Sequence, residues 1–266
     1  MSGFCVKGLC AGYGSQRILH DLTFCVESGR IMGILGPNGC GKTTLIKSIC
    51  GILPHAGECT LDGVKLESLT ARRLAQLCSY IPQRSGISID LSALDVVLMG
   101  FNPRLGLLEH PSEAMKRQAL EALETAGIGE MAQRNYQHLS EGQKQLCMLA
   151  RTLIANSRLM LLDEPESALD FHYRYRMLNI LRSQVRQTGG YALVSLHDPM
   201  LALNECDDLL LVKDGRSLGI LQPAVDSFAR MEALLCEIYG SVTLTACADK
   251  QGKKHLVMLR EGAAEL

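Results

Sequence analysis

The sequence has no long uninterrupted apolar run. No stretch approaches the roughly 18 apolar residues that a helix needs to cross a bilayer. The first ten residues, MSGFCVKGLC, hold no apolar segment of signal-peptide length. We therefore expect a soluble chain, and if it serves a membrane process, the membrane-spanning part is another polypeptide.

An excess of charge of either sign is also lacking. The chain has 27 Lys and Arg against 28 Asp and Glu, a net charge of −1. A basic face is the usual mark of nucleic-acid binding, so no nucleic acid is expected as a main partner. There is no charge run of the kind that predicts a disordered tail. With 266 residues, 47% of them hydrophobic, the chain can bury the core of one large domain, with or without an inserted lobe.

Paired cysteine motifs are missing, although the chain has 11 cysteines. Their number is odd, no Cys-x-x-Cys occurs, and most lie in apolar segments. This pattern predicts buried free thiols in a reducing compartment and not a disulfide framework. No cluster of Cys and His shows metal-ligand spacing, so we expect no metal cargo to be held by this chain.

Short apolar runs alternate with helical periodicity along most of the chain. IMGILG at 31–36 predicts a buried parallel strand, followed by a helix over TTLIKSICGI. From 86 to 155 the pattern is helical, and strand–helix alternation returns at LMLLD. The sequence thus predicts a parallel sheet with an inserted helical lobe. SVTLTA and HLVMLR, separated by a polar turn, predict a C-terminal hairpin.

GPNGCGKT at 36–43 lies between a predicted strand and a predicted helix. Its glycines allow successive backbone N–H groups to curl around phosphates, and the helix N-terminus adds positive partial charge. In this motif Lys42 reaches the β- and γ-phosphates and the Thr43 hydroxyl binds Mg²⁺. The alternative is an ordinary glycine-rich turn that contains a lysine.

Two carboxylates, Asp163 and Glu164, follow the apolar run LMLL at 159–162. Ligands of open α/β sheets bind beyond the carboxyl ends of the strands. Asp163 is therefore expected to support Mg²⁺, and Glu164 to orient the water that attacks a phosphate. A solvated acidic strand end is the simpler alternative.

LSEGQ at 139–143 marks a helix start. Ser140 and Gln143 fit the S-x-x-Q capping box, and an apolar face follows. The capping pattern alone is also compatible with a helix that is merely well capped.

Taken together, GPNGCGKT, LSEGQ, LMLLDEP at 159–165 and SALD at 167–170 resemble the nucleotide-binding subunit of an ATP-binding-cassette (ABC) transporter. The resemblance covers nearly the whole chain. It implies an α/β fold: a P-loop NTPase core of the RecA-like type, an antiparallel β subdomain, an inserted α-helical subdomain and a C-terminal β-hairpin. We expect one domain over 1–266, with a catalytic core at 1–85 and 156–222, a helical subdomain at 86–155 and an extension at 223–266.

The resemblance also assigns roles to residues. Catalysis is expected from Glu164, from the switch histidine His197 and from the Q-loop glutamine Gln83. The expected Mg²⁺ contacts are Thr43, Gln83 and Asp163. The residues expected to contact ATP are Tyr13, which would stack on adenine, Gly36, Pro37, Asn38, Gly39, Cys40, Gly41, Lys42, Thr43, Thr44, Ser140, Gly142, Gln143 and the D-loop residue Asp170.

Two positions depart from the family pattern. Glu141 stands where glycine is usual, and we expect its carboxylate to turn away from the triphosphate. Cys40 stands where serine is common. The favoured interpretation is a small filler residue; the alternative is a thiol whose pKa is lowered by the helix start and which is therefore reactive.

The family resemblance implies an assembly. Ser140 and Gly142 would bind the γ-phosphate of ATP held by a second copy, so that ATP closes a dimer on two permease subunits, with a substrate-binding protein as an indirect partner. The expected location is the cytoplasmic face of a bacterial or archaeal membrane.

TARRLAQLCSYIPQ, VVLMGFNPRLG and the terminal hairpin resemble importers of iron–siderophore, haem or cobalamin. A molybdate or tungstate importer and a soluble, non-transport ABC ATPase remain open, as does a small-molecule kinase or GTPase with the same phosphate loop.

Overall fold

The computed structural model describes residues 3–83, 86–88, 90–106 and 108–261. Its strands are β1 (Phe4–Tyr13), β2 (Gln16–Val26), β3 (Ile31–Leu35), β4 (His55–Leu61), β5 (Val64–Lys65), β6 (Cys78–Ile81), β7 (Leu159–Asp163), β8 (Tyr191–Ser195), β9 (Asp208–Lys213), β10 (Arg216–Leu221), β11 (Val242–Ala248) and β12 (Lys254–Arg260). Its α-helices are α1 (Lys42–Ile49), α2 (Ala71–Leu77), α3 (Ala93–Leu98), α4 (Glu113–Ala126), α5 (Glu141–Ala155), α6 (Phe171–Thr188), α7 (Pro199–Glu205) and α8 (Phe228–Tyr239).

The central sheet has the strand order β10-β9-β3-β8-β7-β6. Its strands pair in parallel except for β10, which pairs antiparallel to β9 at one edge. Every residue of β3, β7 and β8 is buried, as expected for parallel strands covered on both faces. The predicted parallel sheet is confirmed.

A second sheet, of order β2-β1-β4-β5, is antiparallel. Its inner face packs on α1 and on one face of the central sheet, with a buried core that includes Phe4, Leu22, Leu45 and Leu161. The other face of the central sheet is covered by a second core to which α3–α8 contribute. The sheets thereby hold the β3–α1 turn between them.

The segment between β6 and β7 is helical, as predicted. α4 and α5 pack on each other and on α3, around residues such as Val96, Leu123 and Leu149. The C-terminal extension contains α8 and the predicted hairpin, β11–β12. The hairpin is held to α7 because the Asn204 amide bonds both the N–H and the C=O of Leu256, at 2.8 and 2.9 Å. The predicted domain boundary at residue 85 lies outside the described residues.

One expectation about the cysteines is wrong. Cys5 and Cys25 face each other across the β1–β2 pair and form a disulfide. The spacing of 20 residues gave no sign of it, because the pairing depends on the register of two strands. The other nine cysteines are free. Within the described ranges, no helix combines the length and the hydropathy needed to cross a membrane.

Candidate nucleotide site

The β3–α1 turn forms a phosphate cradle at the carboxyl edge of the central sheet. Gly39 and Gly41 have φ values of +80° and +109°, a backbone conformation that side chains with a Cβ rarely adopt. At Gly41 an added Cβ would also lie 2.4 Å from the Leu19 side chain. Lys42 Nζ donates to the Gly36 and Pro37 carbonyls at 2.8 and 3.4 Å, which holds the ammonium over the loop.

Asp163 ends β7 beside this cradle. Its Oδ1 accepts hydrogen bonds from the Thr43 hydroxyl at 3.0 Å and from the Ser195 hydroxyl at 2.9 Å. Asp163 is almost completely buried, and this burial raises the pKa of its carboxyl group. Since a buried carboxylate is costly without a compensating charge, the position suits a cation. Hydroxyl and carboxylate oxygens are also the ligands that Mg²⁺ prefers, so the donor set fits that ion.

Glu164 follows with a φ of +48°, a strained conformation for a non-glycine residue and one that is frequent at functional sites. Its backbone N–H donates to Ser195 Oγ at 2.9 Å. Two groups converge on its Oε2: the Gln83 amide Nε2 donates at 2.5 Å, and His197 Nε2 lies 2.6 Å away. The fold thus brings together three residues that are far apart in the chain.

These groups line a cavity of about 350 Å³. Of the residues expected at ATP, magnesium or the attacking water, it gathers Tyr13, Asn38, Gly39, Gly41, Lys42, Thr43, Thr44, Gln83, Glu164 and His197. Tyr13 is half-exposed at its edge, where its ring is available for stacking.

The LSEGQ segment lies in a different cavity. Both hydrogen bonds of the predicted capping box are present, joining Ser140 and Gln143 at 3.0 and 3.2 Å at the start of α5. This cavity, of about 480 Å³, contains Ser140, Gly142, Gln143 and Asp170 and shares no residue with the cradle cavity. Gly142 is required by close packing, since a Cβ there would lie 2.9 Å from the Ala168 carbonyl oxygen.

The two departures from the family pattern have structural explanations. Glu141 pairs with Lys144 at 2.8 Å on the surface of α5 and also lines the cavity that contains Ser140 and Gly142, so its orientation relative to a triphosphate stays a prediction. Cys40 is buried, and burial raises the pKa of its thiol despite the nearby Lys42. The alternative of an activated thiol with a lowered pKa is therefore wrong, because desolvation outweighs the attraction of the positive loop.

Sequence reasoning missed three residues of the site. Ser195 binds both members of the acid pair, and Glu166 accepts the His197 backbone N–H at 2.8 Å. Gln145 of α5 donates to the Gln83 carbonyl at 2.8 Å and so ties the LSEGQ helix to the Q-loop. All three are buried polar residues. Only Ser195, in the apolar run YALVSL, gave a signal in the sequence, because a polar residue in a buried strand is rarely without a partner.

An open α/β sheet with this cradle, and with the capped α5 start in a separate cavity, has the architecture of an ATPase of the ATP-binding-cassette class. The sequence profile of the ABC transporter family matches residues 19–167. The chain belongs to the ABC transporter family, whose ATP-binding subunits couple ATP hydrolysis to transport. The family and the fold class expected from the motifs are confirmed.

Known proteins agree with this placement. The hemin import ATP-binding protein HmuV of Bordetella pertussis is 35% identical over 227 residues, which cover 82% of this chain and 86% of HmuV. The ABC transporter ATP-binding protein YvrA of Bacillus subtilis is 31% identical over 256 residues, 96% of this chain, but the match spans only 57% of YvrA. A solved chain of a transporter described as the metal-chelate ABC type, in an inward-facing conformation, superposes with a TM-score of 0.79 at 24% identity and covers 98% of this chain and 99% of its own. That likeness shows the fold.

The sequence shows no cluster of Cys and His with metal-ligand spacing, but the structure places three potential ligands close together outside the nucleotide site. His55, Cys59 and Glu67 bring one ligand atom each to within 4.8 Å of one another. The spacing of these residues in the sequence does not indicate a cluster, because Glu67 comes from a separate turn.

Proposed function

We propose that this chain is the ATP-hydrolysing subunit of an importer that carries a metal chelate of the hemin, iron–siderophore or cobalamin type. The main support for this proposal is the similarity to HmuV over 82% of the chain. In this assignment the chain lies at the cytoplasmic face of the membrane and works with two permease subunits and, indirectly, with a substrate-binding protein. Cargo selection belongs to those other subunits.

The hydrolytic chemistry is assigned to the cradle cavity. Lys42 neutralises charge on the terminal phosphates of ATP, and Thr43, Asp163 and Gln83 support Mg²⁺, which supplies further charge neutralisation when bound. Glu164 orients and polarises the attacking water, and the His197 ring, 2.6 Å from Glu164 Oε2, holds that carboxylate in place.

The second half of each site is assigned to another copy of the chain. Ser140, Gly142 and the N-terminus of α5 are suited to an anion. They lie in a cavity separate from the phosphate cradle of their own chain. Two chains placed face to face would present each capped helix start to the partner's nucleotide, so that ATP joins them and hydrolysis releases them.

Permease docking is assigned to a groove of about 580 Å³ between the antiparallel sheet and the helical lobe. Its residues come from the end of α1, from α2 and β6, and from α5 and the segment after α3. Arg72 fixes one wall by donating to the Pro103 and Leu105 carbonyls at 3.1 and 2.7 Å. Ile52, which is 58% exposed, offers an apolar contact at the groove.

Uptake in cells tests the proposal. A strain that lacks this chain should lose uptake of hemin, a ferric siderophore or cobalamin, and wild-type chain should restore it. Glu164→Gln should not restore uptake, whereas Glu121→Gln, a matched change on the exposed face of α4, should. Unchanged uptake of all three compounds in the deletion strain would refute the assignment to this importer group.

A further inference from the structure

The antiparallel sheet carries a cluster of three potential metal ligands that the ATPase reaction does not use. His55 and Cys59 both belong to β4, and Glu67 lies in the short 3₁₀ turn Leu66–Ser68. His55 Nε2 lies 3.0 Å from Glu67 Oε1 and 3.7 Å from Cys59 Sγ. We propose that His55, Cys59 and Glu67 bind a divalent cation of the zinc type.

A backbone irregularity explains how the two β4 side chains meet. Residues four apart on a regular strand are about 13 Å apart, too far for contact. Here the β1–β4 register shifts between Lys7 and Cys10. The extra residue of this bulge is in β1, where Gly8 and Leu9 lie opposite Gly57 of β4. Gly57 itself has a φ of +97°, and a Cβ there would lie 2.5 Å from the Gly8 carbonyl oxygen. Bulges of this kind bend a strand and redirect its side chains. His55 and Cys59, on either side of Gly57, thereby turn toward one point.

The distances fit a tetrahedral ion. With Zn–N near 2.0–2.1 Å and Zn–S near 2.3 Å, tetrahedral angles place N and S about 3.6 Å apart and N and O about 3.3 Å apart. The observed 3.7 and 3.0 Å are close to these values. The oxygen is also positioned by a further contact, since Cys59 N–H donates to Glu67 Oε1 at 2.6 Å. Only small side-chain shifts are needed to admit an ion.

The chemical nature of the three ligand atoms determines which kind of metal ion the site prefers. A thiolate with an imidazole suits borderline or soft cations, whereas Mg²⁺ and Ca²⁺ prefer oxygen ligands. Cys59 is completely buried. A cysteine binds a cation as the thiolate, so metal binding at Cys59 releases the thiol proton.

Three protein ligands leave a fourth coordination position open. His55 and Glu67 line the 580 Å³ groove between the antiparallel sheet and the helical lobe, so we assign the open position to the groove side of the cluster. The ion would join β4 to the Leu66–Ser68 turn at the wall of the groove. This site is distinct from the nucleotide cavity, and the inference does not depend on the cargo assigned above.

Metal titration of the full chain without nucleotide tests the site. We expect one equivalent of Zn²⁺ per chain, a rise in melting temperature on addition of Zn²⁺, and a thiolate-to-metal absorption band when Co²⁺ is the probe. Cys59→Ser and His55→Ala should each weaken Zn²⁺ binding by more than about tenfold and remove the Co²⁺ band. Glu67→Gln should also weaken binding, while its amide oxygen still accepts the Cys59 N–H and preserves the metal-free fold.

The matched control is Cys78→Ser, which removes another buried thiol that lines the same groove. It should bind Zn²⁺ like the wild type. A second control, Glu164→Gln, alters the other contact between a carboxylate and a histidine and should also leave binding unchanged. The proposal is overturned if the chain binds no stoichiometric Zn²⁺, if Cys59→Ser and Glu67→Gln bind as tightly as the wild type, or if only Cys78→Ser or Glu164→Gln loses the ion.

Discussion

The backbone N–H of His197 donates to Glu166 Oε1 at 2.8 Å, which fixes the start of the segment that carries the histidine ring. Glu166 is almost completely buried, and its second oxygen, Oε2, has no hydrogen-bond partner among the residues that the structure describes. It is therefore a positioning residue, which acts on the nucleotide site through its hydrogen bond to the His197 backbone.

Removal of this acceptor should slow hydrolysis. Glu166→Ala removes the acceptor of the part-buried His197 N–H, a loss of about 1–3 kcal/mol, so we expect kcat to fall by about tenfold or more while ATP affinity changes little. Glu166→Gln retains an acceptor oxygen and is the matched control. Steady-state ATPase assays separate the two variants. Equal activity of the alanine and glutamine variants would show that the hydrogen bond does not position His197.

Burial raises the pKa of Glu166 above its ordinary value of 4.5, and this gives a stability prediction. Between 4.5 and the raised pKa the folded chain binds more protons than the unfolded chain, so the free energy of unfolding falls as pH rises through that window. A tenfold difference in proton affinity between the two states corresponds to about 1.4 kcal/mol. Urea unfolding at several pH values should show a smaller fall for Glu166→Gln than for the wild type. Identical slopes would contradict a raised pKa at this position.

The thiol of Cys40 should be unreactive in the folded chain. Burial raises its pKa and shields Sγ, so maleimide at neutral pH should label Cys40 far more slowly than the exposed Cys247. Mass spectrometry of labelled peptides measures both rates in one sample. Cys40→Ser should hydrolyse ATP within about twofold of the wild type, because serine is of similar size and fills the same buried position in the loop. Labelling of Cys40 as fast as Cys247, with protection by ATP, would contradict this account.

A charge in the docking groove should uncouple the chain from its permease. Ile52→Glu places a carboxylate at an exposed apolar position of the groove, whereas Val225→Glu makes the same change at an exposed position outside it. Because a desolvated, unpaired carboxylate is costly at an interface, we expect Ile52→Glu to reduce co-purification with the membrane complex by more than about tenfold. ATP binding should stay intact, and Val225→Glu should co-purify normally. Normal co-purification of Ile52→Glu would place the docking surface elsewhere.

The sequence predicted the parts of the molecule that depend on local pattern. The apolar runs of β3, β7 and β8, the capping box of α5 and the glycine-rich turn before α1 each follow from residues close together in the chain. The family resemblance then placed Gln83 and His197, which local pattern alone could not connect to Glu164.

Contacts that depend on strand register or on burial could not be predicted from the sequence. The Cys5–Cys25 disulfide and the approach of His55 to Cys59 follow from strand pairing and from a bulge opposite Gly57. The raised pKa of the Cys40 thiol follows from burial, which competes with the charge of the loop. In each case the outcome depends on tertiary packing, and the sequence does not give the distances between the groups that pack together.

We propose that a second copy of the chain completes each nucleotide site. Sedimentation velocity of Glu164→Gln, which should bind ATP without turning it over, tests this most directly. We predict a monomer without nucleotide and a dimer with MgATP, and we predict that Ser140→Arg in the same background restores the monomer. A Glu164→Gln chain that binds MgATP, stays monomeric in solution and also fails to close within its membrane complex would contradict the claim.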